Sequence, residues 1–512
     1  MRQSERISSM EDKKIFKGIL LGLVALLPLL YCSGFLAQLL QNYDTWRTAG
    51  GVPGDGTAPA FPNKEIGKCL LSAFSSYGLK ALLLLLAVVA GSVMMALFSG
   101  KGSKGEYDTE RNFHYSDKGN YGTAGYMEMA TMKKLLELKN IRETEGTILG
   151  LVGKNVVSIP LETRMNRNIA VFGASGSMKS RAFVRNMVFQ SVKRGESLIL
   201  TDPKAELYRD MAVYLEKNGY TVRVFNLINP LHSDRWNCIS EVAHDQLMAQ
   251  ICADVIIKNT VSGKMDHFWD NAELNLLKAL ILYVDHERAP ADRNMGEVYR
   301  MLSELTESEL DDRFDILPKG HPAKAPYNIF KRAGDKVKGG VIVGLGGRLQ
   351  VFQNEMICRM TAQDDFDLSR PGREKCAFFC ISSDQDSTFD FLSSLFFSFL
   401  FIKLVRYADV EQEEGELPVA VNFVLDEFTN LGVINDFKKK ISTVRSRNIS
   451  IAVIFQNIAQ LKNRYPNDEY LEILGNCDTQ IALGCTDEMT AKFLSDRTGE
   501  VTIAVSSQSK QL

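Results

Sequence analysis

Asn168-Ile169-Ala170-Val171-Phe172-Gly173-Ala174-Ser175-Gly176-Ser177-Met178-Lys179-Ser180 decides how this chain is read. A short apolar run leads into a loop of small residues, then a lysine and a hydroxyl, and Arg181-Ala182-Phe183-Val184 continues as the start of a helix. Strand, loop and helix in that order form the setting of a phosphate-binding loop. Small residues from Gly173 through Ser177 let successive backbone N–H groups close around a phosphate. The Lys179 ammonium suits the β and γ oxygens of a nucleotide such as ATP, and the Ser180 hydroxyl suits Mg²⁺. The spacing fits G-x-x-x-x-G-K-[ST] except at Met178, where the pattern asks for a second glycine. The Met178 side chain must therefore point away from the phosphates without forcing a strained φ, and turnover is the property it threatens.

Far downstream, Ala420-Val421-Asn422-Phe423-Val424-Leu425 ends at Asp426-Glu427. An unbroken apolar run reads as a buried parallel strand, and acids at its carboxyl end lie where such sheets bind ligands. Asp426 is expected in the Mg²⁺ shell and Glu427 beside the attacking water. A further apolar run, Ile449 to Phe455, ends at Gln456, a candidate γ-phosphate sensor. Upstream of it, Arg445 or Arg447 suits a finger reaching a neighbouring subunit's nucleotide, and a solvated basic helix face explains the same residues. Asp202 and Lys204 follow the strand Ser197–Leu200 and read either as part of the nucleotide edge or as a turn ion pair. With Tyr220–Phe225, Cys376–Ile381 and Thr479–Leu483, about seven strands emerge. This is an α/β pattern of successive βαβ units, a mostly parallel sheet covered by helices.

From about 240 to 350 the apolar residues recur at helical spacing, which implies an all-helical insertion. Its later part carries Lys319, Lys324, Lys331, Arg332, Lys336 and Lys338, read either as a phosphate track or as an exposed, lysine-rich loop. The whole chain has a formal net charge of −2 over 512 residues, which excludes a globally basic nucleic-acid coat but not a local track. Nine cysteines form an odd, scattered set with no CxxC pair and no histidine at ligand spacing. That argues against a disulfide framework and against a zinc site, and for buried thiols in a reducing compartment.

Gly18 to Leu40 holds no formal charge, and Ala81 to Gly100 is a second uncharged stretch; each is long enough to cross a bilayer as a helix. Arg2, Arg6, Lys13, Lys14 and Lys17 precede the first, while Lys101, Lys104, Arg111 and Lys118 follow the second. Both ends are therefore expected in the cytoplasm. The Gly/Pro-rich connection from Gln41 to Lys80 reads as an external loop of little fixed structure, and 101–150 as a cytoplasmic linker.

Two spans, the 173–180 loop, Asp202-Pro203-Lys204-Ala205-Glu206, His267-Phe268-Trp269-Asp270, Val424-Leu425-Asp426-Glu427-Phe428, Phe455-Gln456-Asn457 and Leu483-Gly484-Cys485-Thr486-Asp487 occur in this order. Together they resemble the type IV coupling proteins of bacterial conjugation, of the TraG/TraD type. The resemblance implies a RecA-like P-loop ATPase domain over 151–240 and 350–512, with an all-α domain over 241–349 inserted in it. A two-helix transmembrane hairpin (about 18–40 and 81–100) precedes it. It implies a homo-hexamer at the bacterial inner (plasma) membrane that uses ATP and Mg²⁺. Relaxase-bound single-stranded DNA would be handed to a type IV secretion channel. By the same resemblance Lys179, Ser180, Asp426, Glu427, Gln456 and Arg445 take the roles read above, with Arg447 as the alternative finger. Two other functions fit the residues: a nucleotide-switched receptor that docks substrates with little hydrolysis, and a chromosome-segregation pump acting on duplex DNA.

Overall fold

The structure is a computed structural model that describes residues 28–53, 56–98, 104–116, 119–260, 267–383 and 387–504. It divides into two units, one of residues 1–123 with 501–512 and one of residues 124–500.

In the first unit a helix over residues 28–48 is followed by helices Ile66–Ala73 and Ser76–Phe98. The connection expected to be loose is tied to the first helix by its polar side chains. The Asn42 amide donates to the Ala60 carbonyl at 2.8 Å, Gln38 accepts from the Asn63 N–H at 2.9 Å, and the Trp46 indole donates to Thr57 at 3.0 Å. Gly34 permits the close approach of the helices, because a Cβ there would stand 1.7 Å from the Cys69 carbonyl oxygen. Residues 18–27 of the expected first span lie outside the described residues, as do the basic residues before it. Residues 81–98 of the second expected span lie in Ser76–Phe98, whose Leu83, Leu84, Val88, Val89 and Met95 are exposed, and residues 99–100 lie outside the described residues.

Among the described residues, one unbroken helix, Asp390–Glu411, is long and apolar enough to cross a membrane. It is a core helix, with 72% of its apolar window buried inside the protein. Helices Ile66–Ala73 and Ser76–Ser92 reach that length and hydropathy together, but with a 90° bend between them.

Part of the segment expected as a linker is sheet. Strand β1 (Lys104–Asp108) pairs antiparallel with β2 (Phe113–Ser116), and β2 pairs with Ile503–Ala504. The partner lies nearly 400 residues along the chain, so no local apolar period announces the strand. In the second unit, β3 (Glu137–Lys139), β5 (Asn155–Ile159) and β4 (Thr147–Val152) form a small antiparallel sheet in that spatial order, β3 inside the expected linker, β4 across its end and β5 just beyond it.

The seven strands read from the sequence form one sheet. They are β6 (Ile169–Phe172), β7 (Ser197–Thr201), β8 (Thr221–Asn226), β9 (Cys376–Ile381), β10 (Val421–Leu425), β11 (Ile449–Phe455) and β12 (Thr479–Ala482). Their spatial order is β12-β6-β11-β10-β7-β9-β8, with every neighbouring pair parallel. Successive residues of a strand point to opposite faces, and here both faces are covered. Ile169, Val171, Leu198, Leu200 and Val424 pack with Phe183, Met187 and Met211 from the helices after β6 and β7. Ala170, Phe172, Phe378 and Phe423 pack with Phe396, Phe397 and Phe401 of Asp390–Glu411. Doubly covered strands of this kind are apolar at most positions, Asn422 and Ser450 being exceptions, which is why the runs stand out. Between β8 and β9 the ordered elements are all helical, from Cys238–Val242 through Glu355–Met360, and their apolar residues join the same core as Phe396 and Phe423.

Candidate nucleotide site

The carboxyl ends of β6, β11, β10 and β7 lie side by side, and the residues read as chemical all leave the sheet there. After β6, the loop from Gly173 turns through Gly176 at φ +82° and Met178 at φ +63°. The following helix opens with a wide π turn, Ser180–Val184, before continuing as Arg185–Arg194. Gly173 is required by close packing, since a Cβ would stand 2.5 Å from Ser177 Oγ and 3.1 Å from Leu483 Cβ.

Lys179 is buried and its Nζ donates to the Gly173 carbonyl at 2.9 Å, 3.9 Å from Glu427 Oε1. Ser180 Oγ donates to Asp426 Oδ2 at 2.8 Å. The Gln456 amide donates to Glu427 Oε2 at 3.3 Å, and Glu427 itself turns out of β10 at φ +49°. Burial raises the Asp426 carboxyl above the ordinary aspartate value, the Glu427 charge adds to the rise, and the Ser180 hydroxyl and Lys179 offset only part of it. Asp426 is therefore short of positive charge. Ser177 Oγ is buried with no hydrogen-bond partner among the described residues, and a buried hydroxyl without a partner costs free energy. An orphaned hydroxyl, a lysine folded back on its own loop and an under-compensated carboxylate fit a phosphate chain with a divalent cation.

Met178 departs from expectation. Its side chain does point outward, being 66% exposed, but its backbone is in the left-handed region that glycine favours and a long side chain strains. The Asp202 carboxylate accepts the Tyr208 N–H at 2.7 Å and so caps the start of helix Glu206–Lys217, while Lys204 is exposed. Among the described residues, no ion pair joins Asp202 and Lys204, so they do not form the turn pair weighed for them. Burial raises Asp202 as well, more than its backbone donors lower it.

Arg445 and Arg447 lie at the opposite, amino end of β11, about 20 Å of strand from Gln456. Arg447 is held by Asp409 at 2.7 and 2.8 Å, whereas Arg445 is exposed and donates to the Arg164 carbonyl at 2.9 Å. Neither joins the site of its own chain. The basic residues of the helical region are largely spoken for. Lys324 donates to the carbonyls of Asp315 and Leu317 at 2.9 and 2.7 Å, Lys331 pairs with Asp315 at 2.8 Å, and Lys338 pairs with Glu307 at 2.5 Å. A continuous phosphate track is thus not formed; Lys319, Arg332 and Lys336 alone among those six are exposed without an ion pair among the described residues. One contact escaped the sequence reading. Thr201, at the end of β7, donates to the Asp426 carbonyl at 2.6 Å and fixes the acid's backbone; a hydroxyl ending a strand beside the acidic one was its only signal.

Residues 129–512 match the family described as Type IV secretory system Conjugative DNA transfer. A VirD4 protein of Rhizobium radiobacter is 26% identical over 219 residues, 42% of this chain and 30% of the relative. A TraG conjugal transfer protein of Escherichia coli is 24% identical over 340 residues, 60% of this chain and 52% of the relative. The chain thus spans about half or less of the length of these curated relatives. Among solved structures, the plasmid coupling protein TrwB with a non-hydrolysable ATP analogue aligns at a TM-score of 0.57 and 16% identity, covering 78% of this chain and 86% of that one. TrwB with ADP and Mg²⁺ aligns at 0.55, with 16% identity over 74% and 83% of the two chains. At such identity the likeness shows a shared α/β P-loop fold.

Proposed function

Since the chain belongs to the Type IV secretory system conjugative DNA transfer family, we propose that it is a type IV coupling protein, an ATP-driven receptor and motor of a conjugative apparatus. One observation carries the nucleotide reading: Ser180 Oγ meets Asp426 Oδ2 at 2.8 Å across the mouth of a loop that holds Lys179 in reach of Glu427. Ser180 and Asp426 would hold Mg²⁺, which when bound neutralises phosphate charge. Lys179 exchanges the Gly173 carbonyl for the β and γ oxygens, and the backbone N–H groups of 173–178 with the Ser177 hydroxyl cradle the same chain of phosphates. Glu427 orients the attacking water and takes its proton, with Gln456 fixing the carboxylate. Asp202 and Lys204 line the neighbouring edge.

Arg445, exposed and remote from its own site, would complete the site of the next subunit in a homo-hexamer. Two N-terminal helices would anchor the ring in the inner membrane with both termini cytoplasmic. The all-α domain (241–349) is inserted in the ATPase domain (151–240 and 350–512). The substrate is relaxase-bound single-stranded DNA, passed to the secretion channel.

A second reading is favoured by one observation, the strained Met178: a receptor that switches on nucleotide binding and hydrolyses little. Steady-state ATP hydrolysis by the solubilised protein, with and without single-stranded DNA, separates the two. DNA-stimulated turnover that falls at least about 100-fold in Lys179→Ala supports the motor. Nucleotide binding without turnover supports the receptor, and normal DNA transfer by a Lys179→Ala strain defeats both.

A further inference from the structure

His244, Asp285 and His286 stand together far from the nucleotide site in sequence, where the chain enters the helical region. Their ligating atoms all lie within 4.8 Å of one another. We propose that they form a binding site for a divalent transition cation of the zinc class.

His244 lies in the turn between helices Cys238–Val242 and Gln246–Asn259, and Asp285 and His286 end helix His267–Glu287. His244 Nδ1 is 3.1 Å from Asp285 Oδ2; His286 Nδ1, 3.6 Å from the same oxygen, donates to the Leu282 carbonyl at 3.0 Å, so the His286 nitrogen left for a cation is Nε2. Ligand atoms bound at about 2.0–2.2 Å in a tetrahedral set stand about 3.3–3.6 Å apart, so His244 Nδ1 and Asp285 Oδ2 need separate by only a few tenths of an ångström to admit a cation. The set of two imidazoles and one carboxylate suits a borderline cation better than Mg²⁺ or Ca²⁺, which prefer oxygen.

The carboxylate is prepared for a cation. Its side chain is 4% exposed, and among the described residues no lysine or arginine pairs with it. It is also fixed, since the His244 backbone N–H donates to Asp285 Oδ2 at 2.7 Å. That bond depends on a turn with Ala243 at φ +46° and His244 at φ +64°, two consecutive non-glycine residues in the left-handed region. Such a turn is strained and persists only where its surroundings hold it. The turn delivers both the N–H and the imidazole of His244 to one carboxylate. Solvent reaches the site through His244, whose side chain is 53% exposed, which leaves an entry path and a fourth position for water.

His321 packs against His286 with ring centroids 5.2 Å apart, but it is not a ligand. Its Nδ1 accepts the Ala323 N–H at 3.2 Å, so a neutral ring carries its proton on Nε2, the atom 3.1 Å from Glu287 Oε1. It walls the site. The bound cation would clamp the end of the long helix to the first turn after the sheet.

The test is calorimetric titration of Zn²⁺ into chelator-stripped, full-length, detergent-solubilised protein. Excess Mg²⁺ keeps the nucleotide site's oxygens occupied, and Co²⁺ absorption reports the geometry. One equivalent per chain is expected, weakened at least about tenfold in both His244→Ala and His286→Ala and unchanged in His232→Ala, an exposed histidine elsewhere. Asp285→Asn keeps the volume should an alanine variant fold poorly, and is expected to weaken binding likewise. Failure to bind Zn²⁺, or binding that is the same in His244→Ala and His286→Ala as in the parent protein, overturns the proposal.

Discussion

Two carboxylates, one at each end of the same sheet, are both largely removed from water, and they respond in opposite ways. At the carboxyl end, burial raises Asp426, and a serine hydroxyl and a distant lysine do not restore it. At the amino end, burial also pushes Glu196 up, but Arg194 and Arg167 more than offset it and the carboxyl lies below its ordinary value. Glu196 accepts from Arg194 at 2.6 Å, from Arg167 at 2.7 Å and from the Asn422 amide at 2.7 Å. It is complete. Asp426 accepts the Ser180 hydroxyl and the Glu427 N–H where Glu196 has two guanidinium groups, and on the function proposed above a cation would supply the deficit. A buried acid already paired with positive charge serves the fold; a buried acid left short of it is arranged for a ligand.

The largest expected effects separate these roles. Asp426→Asn removes the under-compensated charge but keeps the shape, so ATP turnover in the presence of Mg²⁺ should fall at least about 100-fold. Its urea midpoint should match or exceed that of the parent protein. Glu196→Gln should do the reverse. It strands Arg194, whose side chain is only 7% exposed, and should cost on the order of 3 kcal/mol of stability while leaving turnover per folded molecule close to normal. If Asp426→Asn destabilises as much as Glu196→Gln, the distinction is lost.

A smaller effect is the dependence on pH, and its sign differs between the two ends. Folded Asp426 holds its proton to a higher pH than the unfolded chain does. Between the ordinary aspartate value and the raised one, stability therefore falls as pH rises. Folded Glu196 loses its proton earlier than the unfolded chain does. Its contribution is full above the ordinary glutamate value and is lost as pH falls through the lowered one. Denaturation midpoints across mild acid should show the upper window flattened in Asp426→Asn and the lower one flattened in Glu196→Gln. Affinity for Mg·ATP should weaken by up to about tenfold per pH unit as acid protonates Asp426, at a higher pH than an ordinary aspartate would require.

The same contrast explains what could be read in advance. The strands of the large sheet were legible because a strand covered on both faces is apolar at nearly every position, as Ile449 to Phe455 are apart from Ser450. That the acids meet the lysine-serine pair was legible because each directly follows an apolar strand whose carboxyl end, or the loop after it, carries it to the same edge of the sheet. The small sheet of β3, β4 and β5 was not. Leu151 of β4 is 72% exposed, and a bulge falls between Ile148 and Gly150, so neither period nor burial marks the strand. The Glu196 cluster was equally silent, since Arg167 and Asn422 reach it from distant parts of the chain and each alone resembles a surface residue. His244 and Asp285 are 41 residues apart, which no ligand spacing would pair. Non-local partners leave no period.

The smallest expected effect lies in the loop that joins these arguments. Met178 has φ +63°, a conformation that costs a long side chain on the order of 1 kcal/mol relative to glycine, and its exposed side chain gains little packing in return. Met178→Gly relieves that strain but adds freedom to the unfolded chain, which costs up to about 1 kcal/mol, so stability should change by less than about 1 kcal/mol. Its effect on turnover tests whether the acid end is limited by its charges or by its backbone. If the charges limit, Met178→Gly changes ATP turnover by less than about fivefold, and Asp426→Asn dominates every double variant. If the backbone limits, Met178→Gly raises turnover by tenfold or more. The loop's geometry, rather than the charge balance at Asp426, would then distinguish this site from the completed cluster at Glu196.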